Sequence, residues 1–231
     1  MRRAPVGPGR RDMTGRRRSA LIGRLFGAKP DTPVNGPDRS DGSDSLPKPL
    51  NADWAWRPDL WCKPLSVPQS SVVSEQTRLD DRISLFHDGQ RAEIVVRQNR
   101  SPRADGAAYG LQVKVAGFDG SFVSVVVDLP DAAVTGLTKS HVLGLHSAIE
   151  PSREIKAFGR LNVRHGPNTE QIVCDLEMQT GPVAADFDLA YTKLNEKRVE
   201  SAWIDLIFDA PADTTLVLAD LTVSRRRRAQ F

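Results

Sequence analysis

Residues 154–164 read EIKAFGRLNVR, and in an extended chain their alternation separates two chemically different rows. Ile155, Ala157, Leu161 and Val163 form an apolar row, while Lys156, Phe158, Arg160, Asn162 and Arg164 form the other. The second row sets cations and an amide beside an aromatic ring. Guanidinium groups offer forked donors, the amide offers a donor and an acceptor, and Phe158 offers a stacking surface. That combination suits a ligand rich in hydroxyls or negative charge. The chain then enters HGPNTEQ, a polar turn in which His165 and Asn168 are placed to close over the same ligand. The competing role for such a row is a solvated outer face whose cations pair with carboxylates on neighbouring strands, which contributes little.

A second stretch, residues 201–208, reads SAWIDLIF. Ala202, Ile204, Leu206 and Phe208 make a clean core row, and Trp203 and Asp205 share the opposite side. A tryptophan next to a carboxylate can hold a sugar by stacking plus hydrogen bonding. Alternatively, Trp203 and Ile207 are covered by a neighbouring segment and the strand is buried on both sides; periodicity does not separate the two. Between these stretches runs a loop, residues 191–198, dense in Lys193, Asn195, Glu196, Lys197 and Arg198. Loops of this kind carry specificity in many sandwiches, and ordinary solvated loops have the same composition.

Catalytic signatures are missing: there is no nucleophile elbow, phosphate loop, dinucleotide fingerprint or HExxH helix. His87, His141, His146 and His165 are scattered, and the five-residue spacing of His141 and His146 puts them on opposite faces of a strand. Cys62 and Cys174 lie among apolar residues, and Cys174 shares a row with Ile172, Leu176 and Met178, as a small hydrophobe does. No catalytic residue, metal site or cofactor is therefore expected.

Elements able to position these residues are strands. From Val72 onward, β-branched segments alternate with period two over 82–87, 92–97, 109–116, 121–128, 141–150, 154–164, 171–178, 183–191, 201–208 and 215–224. Turn chemistry separates them: Asp88-Gly89, Asp119-Gly120, Gly166-Pro167-Asn168 and Gly181-Pro182. Only 131–140, opened by Pro130-Asp131, reads as a short helix or helical turn. The expected fold is all-β, an antiparallel two-sheet β-sandwich forming a single domain over 51–231. Its lead-in, 51–71, holds Trp54, Trp56 and Trp61, which either plug one end of the core or present stacking surfaces.

Residues 1–50 are poor in aromatics, rich in Arg, Pro, Gly and Ser, and carry 11 Lys/Arg against 5 Asp, a net charge of +6. They are expected to be a disordered basic tail with a short amphipathic helix over 16–26. A further basic tail is expected over 225–231, where four arginines follow one another. What remains, 51–224, has 17 basic and 24 acidic residues and is net −7, which excludes a sequence-specific nucleic-acid fold despite the pI near 9.0. With no long apolar run or secretion signal, the expected location is cytoplasmic.

The segments FDGSFVSVVVDLP (118–130), RLNVRHGPNTEQIV (160–173), FDLAYTKLNEKRVESAWIDLIFDAP (187–211) and LADLTVSRR (218–226), with DWAWRPDLW (53–61), resemble an uncharacterised alphaproteobacterial family known by a domain-of-unknown-function label. The resemblance spans about 51–231, and the first 50 residues depart from it. It implies no activity. The order of strands is also similar to galactose-binding-like jelly rolls and the carbohydrate-binding modules built on them, an analogy at the level of fold. The expected function is thus a non-catalytic binding module for a carbohydrate or similar polyol. The alternative is a protein-interaction or scaffold domain whose basic tails tether it to an acidic partner or an anionic membrane surface.

Overall fold

In the computed structural model, residues 49–66, 69–72, 74–101, 106–178 and 182–229 are described. All of them belong to the unit Asp38–Phe231. The expected basic tail lies outside the described residues except for Pro49 and Leu50, and so does its helix over 16–26.

The described chain runs β1 (Ala52–Trp56), α1 (Asp59–Cys62), β2 (Gln69–Val72), β3 (Gln76–Arg78), β4 (Ile83–His87), β5 (Glu93–Arg100), β6 (Tyr109–Ala116), β7 (Phe122–Asp128), α2 (Asp131–Val134), β8 (His141–Pro151), β9 (Ala157–His165), β10 (Asn168–Leu176), β11 (Pro182–Asp188), β12 (Val199–Asp209) and β13 (Thr214–Arg227). Every pairing is antiparallel. Sheet I has the order β11-β8-β13-β6-β5-β2, with β1 added alongside β13; sheet II has the order β10-β9-β12-β7-β4-β3. Strands β6 to β9 alternate between the sheets, so each connection crosses the sandwich, and the fold is the expected all-β two-sheet sandwich.

The alternating residues explain why the layers meet. Leu111, Val113, Leu143, Leu145, Leu216, Leu218 and Val223 of sheet I face Val123, Val125, Val127, Leu161, Ile204 and Leu206 of sheet II, all fully buried or nearly so. Removing these rows from water drives the stacking at about 25 cal/mol per Å² of apolar area.

Four boundaries differ from expectation. Strands β1, β2 and β3 are too short to show alternation in the sequence, and they form because longer neighbours offer them a ladder. The expected helix over 131–140 is a single turn, Asp131–Val134. Strand β9 begins at Ala157, so Lys156 precedes it. Within the expected tail 225–231, of which 230 and 231 lie outside the described residues, the arginines are not free: β13 continues through Arg227, Arg225 pairs with Asp53 at 2.9 Å, Arg226 with Asp186 at 2.6 Å and Arg228 with Asp188 at 3.0 Å. Arginines that look like a solvated tail are ordered here because Arg225, Arg226 and Arg227 pair with β8 in the ladder and Arg225, Arg226 and Arg228 each meet a carboxylate from another element.

That arrangement has a consequence for pH. His141 opens β8 buried, and its Nδ1 accepts the Thr138 N–H at 3.0 Å, which requires that nitrogen to be unprotonated. Burial and the adjacent Arg225 guanidinium hold the imidazole below its usual pKa, against the pull of Asp53. Below the unfolded value of about 6.5, the unfolded chain takes up a proton that the folded chain refuses, so stability falls as pH falls through that window. Urea midpoints measured from pH 7.5 down to 5.5 are expected to decline, and His141→Gln to flatten the decline; an equal slope in the variant would remove His141 as its source.

Candidate functional site

The outer face of sheet II, opposite the core, gathers the residues singled out by the sequence. On β9, Leu161 and Val163 point inward while Phe158, Arg160, Asn162 and Arg164 share the outer side; on β12, Ile204 and Leu206 point inward while Trp203, Asp205 and Ile207 lie outside. The two strands are adjacent. Their register sets Trp203 opposite Asn162, Asp205 opposite Arg160, and Ile207 opposite Phe158.

A connected set of hydrogen bonds results. Asp205 Oδ2 accepts from Arg160 Nε at 2.7 Å and from Asn162 Nδ2 at 2.9 Å. Asn162 Oδ1 accepts from Gln171 Nε2 on β10 at 2.9 Å. Asp205 and Asn162 are buried although they lie away from the core, whereas the Arg160 side chain is 39% exposed. A buried carboxylate thus fixes the Nε end of a partly exposed guanidinium. Among the described residues no hydrogen bond falls on Asp205 Oδ1 or on the Arg160 Nη atoms. Charge-assisted bonds of this kind lock rotamers, so donors and acceptor are positioned before any ligand arrives.

Next to this polar set lies an apolar one. Phe158, Ile207, Phe86 and Phe122 are half-buried on the same outer face, around Ser124. Ser124 stands between Ile207 and Phe86 in register; it is buried, and its Oγ has no hydrogen-bond partner among the described residues. Trp203 is half-buried between Asn162 and Asp128. The face therefore pairs hydroxyl-binding groups with flat apolar surface.

The other expected residues are placed differently. Lys156 is exposed ahead of the strand, and its carbonyl accepts the Asp209 N–H. Arg164 joins Glu200 at 3.3 Å with both side chains more than half exposed, a solvated surface pair of the kind weighed against function. His165 belongs to the inward row with Leu161 and Val163, is buried, and its Nδ1 accepts the Asn195 N–H at 3.3 Å. Asn168 is exposed on the side of His165, since these two residues pair across the tight Gly166-Pro167 turn. That turn does not close over the outer face. Gln171, Ser124 and Asp128 were missed. The segment FVSVVVD does show Phe122, Ser124, Val126 and Asp128 on one side, but both sides are apolar enough to be core.

Of the lead-in tryptophans, Trp61 is fully buried, as a core plug is, and Trp54 and Trp56 stack half-buried with ring centroids 6.4 Å apart. Among the described residues there is no cluster of three or more His, Cys, Asp or Glu able to hold a metal, and no helix long and apolar enough to cross a membrane.

Residues 30–231 match the family of unknown function DUF6478. The chain belongs to that family. Membership confirms the resemblance found in the sequence and extends it: the DUF6478 match starts 21 residues before Asn51. No curated protein matches the chain. Among solved structures, this DUF6478 chain is similar to the enzymatically active domain of bacteriophage CBA120 tailspike protein 4, with 8% identity, TM-score 0.44 and 64% of the chain covered; it spans about a fifth of that protein. The xylan-binding CBM22-1 domain of Paenibacillus barcinonensis Xyn10C is 9% identical with TM-score 0.39, covering 80% of this chain and 100% of that one. The family 11 carbohydrate-binding module of Clostridium thermocellum, seen with a β-1,3-1,4-mixed-linked tetrasaccharide, is 10% identical with TM-score 0.38, covering 68% and 96%.

Proposed function

We propose that the chain is a non-catalytic binding module that takes a carbohydrate or similar polyol on the outer face of sheet II. The observation that carries this reading is the Arg160-Asp205-Asn162-Gln171 set of hydrogen bonds, held on the side of the sheet away from the core and flanked by Trp203. A pyranose ring has an apolar face of C–H groups and a rim of hydroxyls. Trp203 and Phe158 supply surface for the first, and the Arg160 Nη donors and the Asp205 Oδ1 acceptor supply partners for the second. Ser124 Oγ, buried without a partner among the described residues, gains one if a ligand hydroxyl reaches it through the surrounding apolar side chains.

The scaffold alternative loses its C-terminal tether, because three of the four arginines expected in the basic tail are engaged within the domain. Trp203→Ala tests the binding reading. Glycan-array screening followed by calorimetry is expected to find a ligand whose affinity drops by about tenfold to thirtyfold in the variant, the loss of one aromatic anchor worth 1.4–2 kcal/mol. The thermal midpoint is expected to fall by only a few degrees, since Trp203 is half-buried on the outer face and not in the core. Absence of binding across the array, or full affinity in the variant, overturns the reading. Release of new reducing ends from the bound glycan would overturn its non-catalytic part.

A further inference from the structure

At the β3-β4 edge of sheet II, a cleft of about 800 Å³ opens between the lead-in and the β3-β4 turn. Trp56, Leu60 and Leu65 line one wall, and Arg78, Asp80 and Arg82 the other. Its volume lies within the range of small-molecule sites, and its lining is mixed, with Trp56 and Leu65 set among the charged side chains of Asp59, Lys63, Arg78 and Asp80.

We infer that this cleft is the end subsite for a chain ligand laid across sheet II, so that the module recognises a linear oligosaccharide rather than a single sugar. The inference rests on the sheet-face reading above. Register carries it: Arg160 stands opposite Asp205, Asp205 opposite Val126, Val126 opposite Ser84, and Ser84 opposite Arg78. These five residues form one row across β9, β12, β7, β4 and β3, ending at the cleft. Four inter-strand steps of ~4.8 Å make it about 19 Å long, roughly four pyranose rings end to end. The neighbouring row leads to the same place, from Trp203 to Asp128, whose N–H donates to the Arg82 carbonyl at 2.8 Å.

The chemistry of the cleft differs from that of the face. Arg160 is committed to Asp205, but neither Arg78 nor Arg82 belongs to an ion pair among the described residues. Arg78 is held instead by backbone, donating from Nε to the Asp80 carbonyl at 2.9 Å and from Nη2 to the Asp81 carbonyl. Its charge is thereby positioned without being neutralised. Asp80 Oδ1 accepts the N–H groups of Arg82 and Ile83, both at 2.7 Å, and no hydrogen bond falls on its Oδ2 among the described residues. A sugar ring against Trp56 would find a donor in Arg78 and an acceptor in Asp80, the pairing a hydroxyl needs.

The test uses the indole N–H signals of ¹⁵N-labelled full-length chain, titrated with β-1,4-linked xylo-, gluco- and galacto-oligosaccharides of two and six units. A two-unit ligand is expected to shift the Trp203 signal alone. A six-unit ligand is expected to shift Trp203 and Trp56 and to bind about tenfold more tightly. Arg78→Ala, at an exposed position, should remove that gain and leave two-unit binding unchanged. If six units bind no more tightly and Trp56 stays still while Trp203 shifts, the end subsite fails and the face reading stands. If Trp56 shifts without Trp203, continuity between cleft and face is wrong. If no oligosaccharide moves Trp203, the face reading fails and the subsite falls with it.

Discussion

Asp205→Ala is expected to destabilise the domain by about 2–4 kcal/mol and to abolish ligand binding on the face of sheet II. Two donors lose their acceptor at once, because Arg160 Nε and Asn162 Nδ2 both bond to Asp205 Oδ2. Their fates differ. Arg160, 39% exposed, can swing into water and recover its solvation, whereas Asn162 is 1% exposed and cannot. Most of the cost therefore falls on the Asn162 amide nitrogen, which keeps only a long bond to the Arg160 carbonyl at 3.3 Å while Oδ1 still accepts from Gln171. Asp205→Asn retains an oxygen acceptor and the shape of the side chain while losing the charge, so about 1–2 kcal/mol is expected. Urea unfolding checks the order: the midpoint should fall further for Ala than for Asn with the slope unchanged. A loss below about 0.5 kcal/mol for Asp205→Ala would mean the four side chains are not a unit, and a preorganised binding surface would lose its foundation.

The same residues show what a sequence can and cannot display. Alternation in SAWIDLIF places Ala202, Ile204, Leu206 and Phe208 in the core and leaves Trp203 and Asp205 on the other side, because core burial imposes a period of two on a strand. The parity of His165 with Leu161 and Val163 was visible as well, and it was the turn-like HGPN that suggested a surface role. What alternation does not contain is adjacency. Strands β9 and β12 are separated by β10 and β11, so only the register reveals that Asp205 is opposite Arg160. Charge pairing over long separations is hidden for the same reason. Arg225, Arg226 and Arg228 have the composition of a tail, and they form ordered structure because Asp53, Asp186 and Asp188 are brought to them by other strands.

Distance along the chain also concealed the importance of the lead-in, and Trp61→Ala is expected to show it with the largest stability loss of any substitution considered, about 3–5 kcal/mol. Trp61 is fully buried, and its Nε1 donates to the Leu218 carbonyl at 3.0 Å. Leu218 is where β13 ends its pairing with β6; from Val223 onward its partner on that side is β1. The indole thus fills the gap between two ladders and satisfies a carbonyl there. Gln98 of β5 ties down the same segment, donating to the carbonyls of Leu60 and Lys63 and accepting the Leu65 N–H. Arg57 adds a two-pronged pair with Asp220, both contacts at 2.9 Å. Trp61→Phe separates packing from hydrogen bonding: most of the volume stays, the carbonyl is orphaned, and about 1–3 kcal/mol should be lost. For a domain whose whole stability is about 5–15 kcal/mol, the Ala variant approaches unfolding, read as a strongly lowered urea midpoint. A midpoint near that of the unaltered chain would make the lead-in an appendage rather than part of the core. Trp56 and the cleft wall it forms would then lack the rigid support that an end subsite for a chain ligand requires.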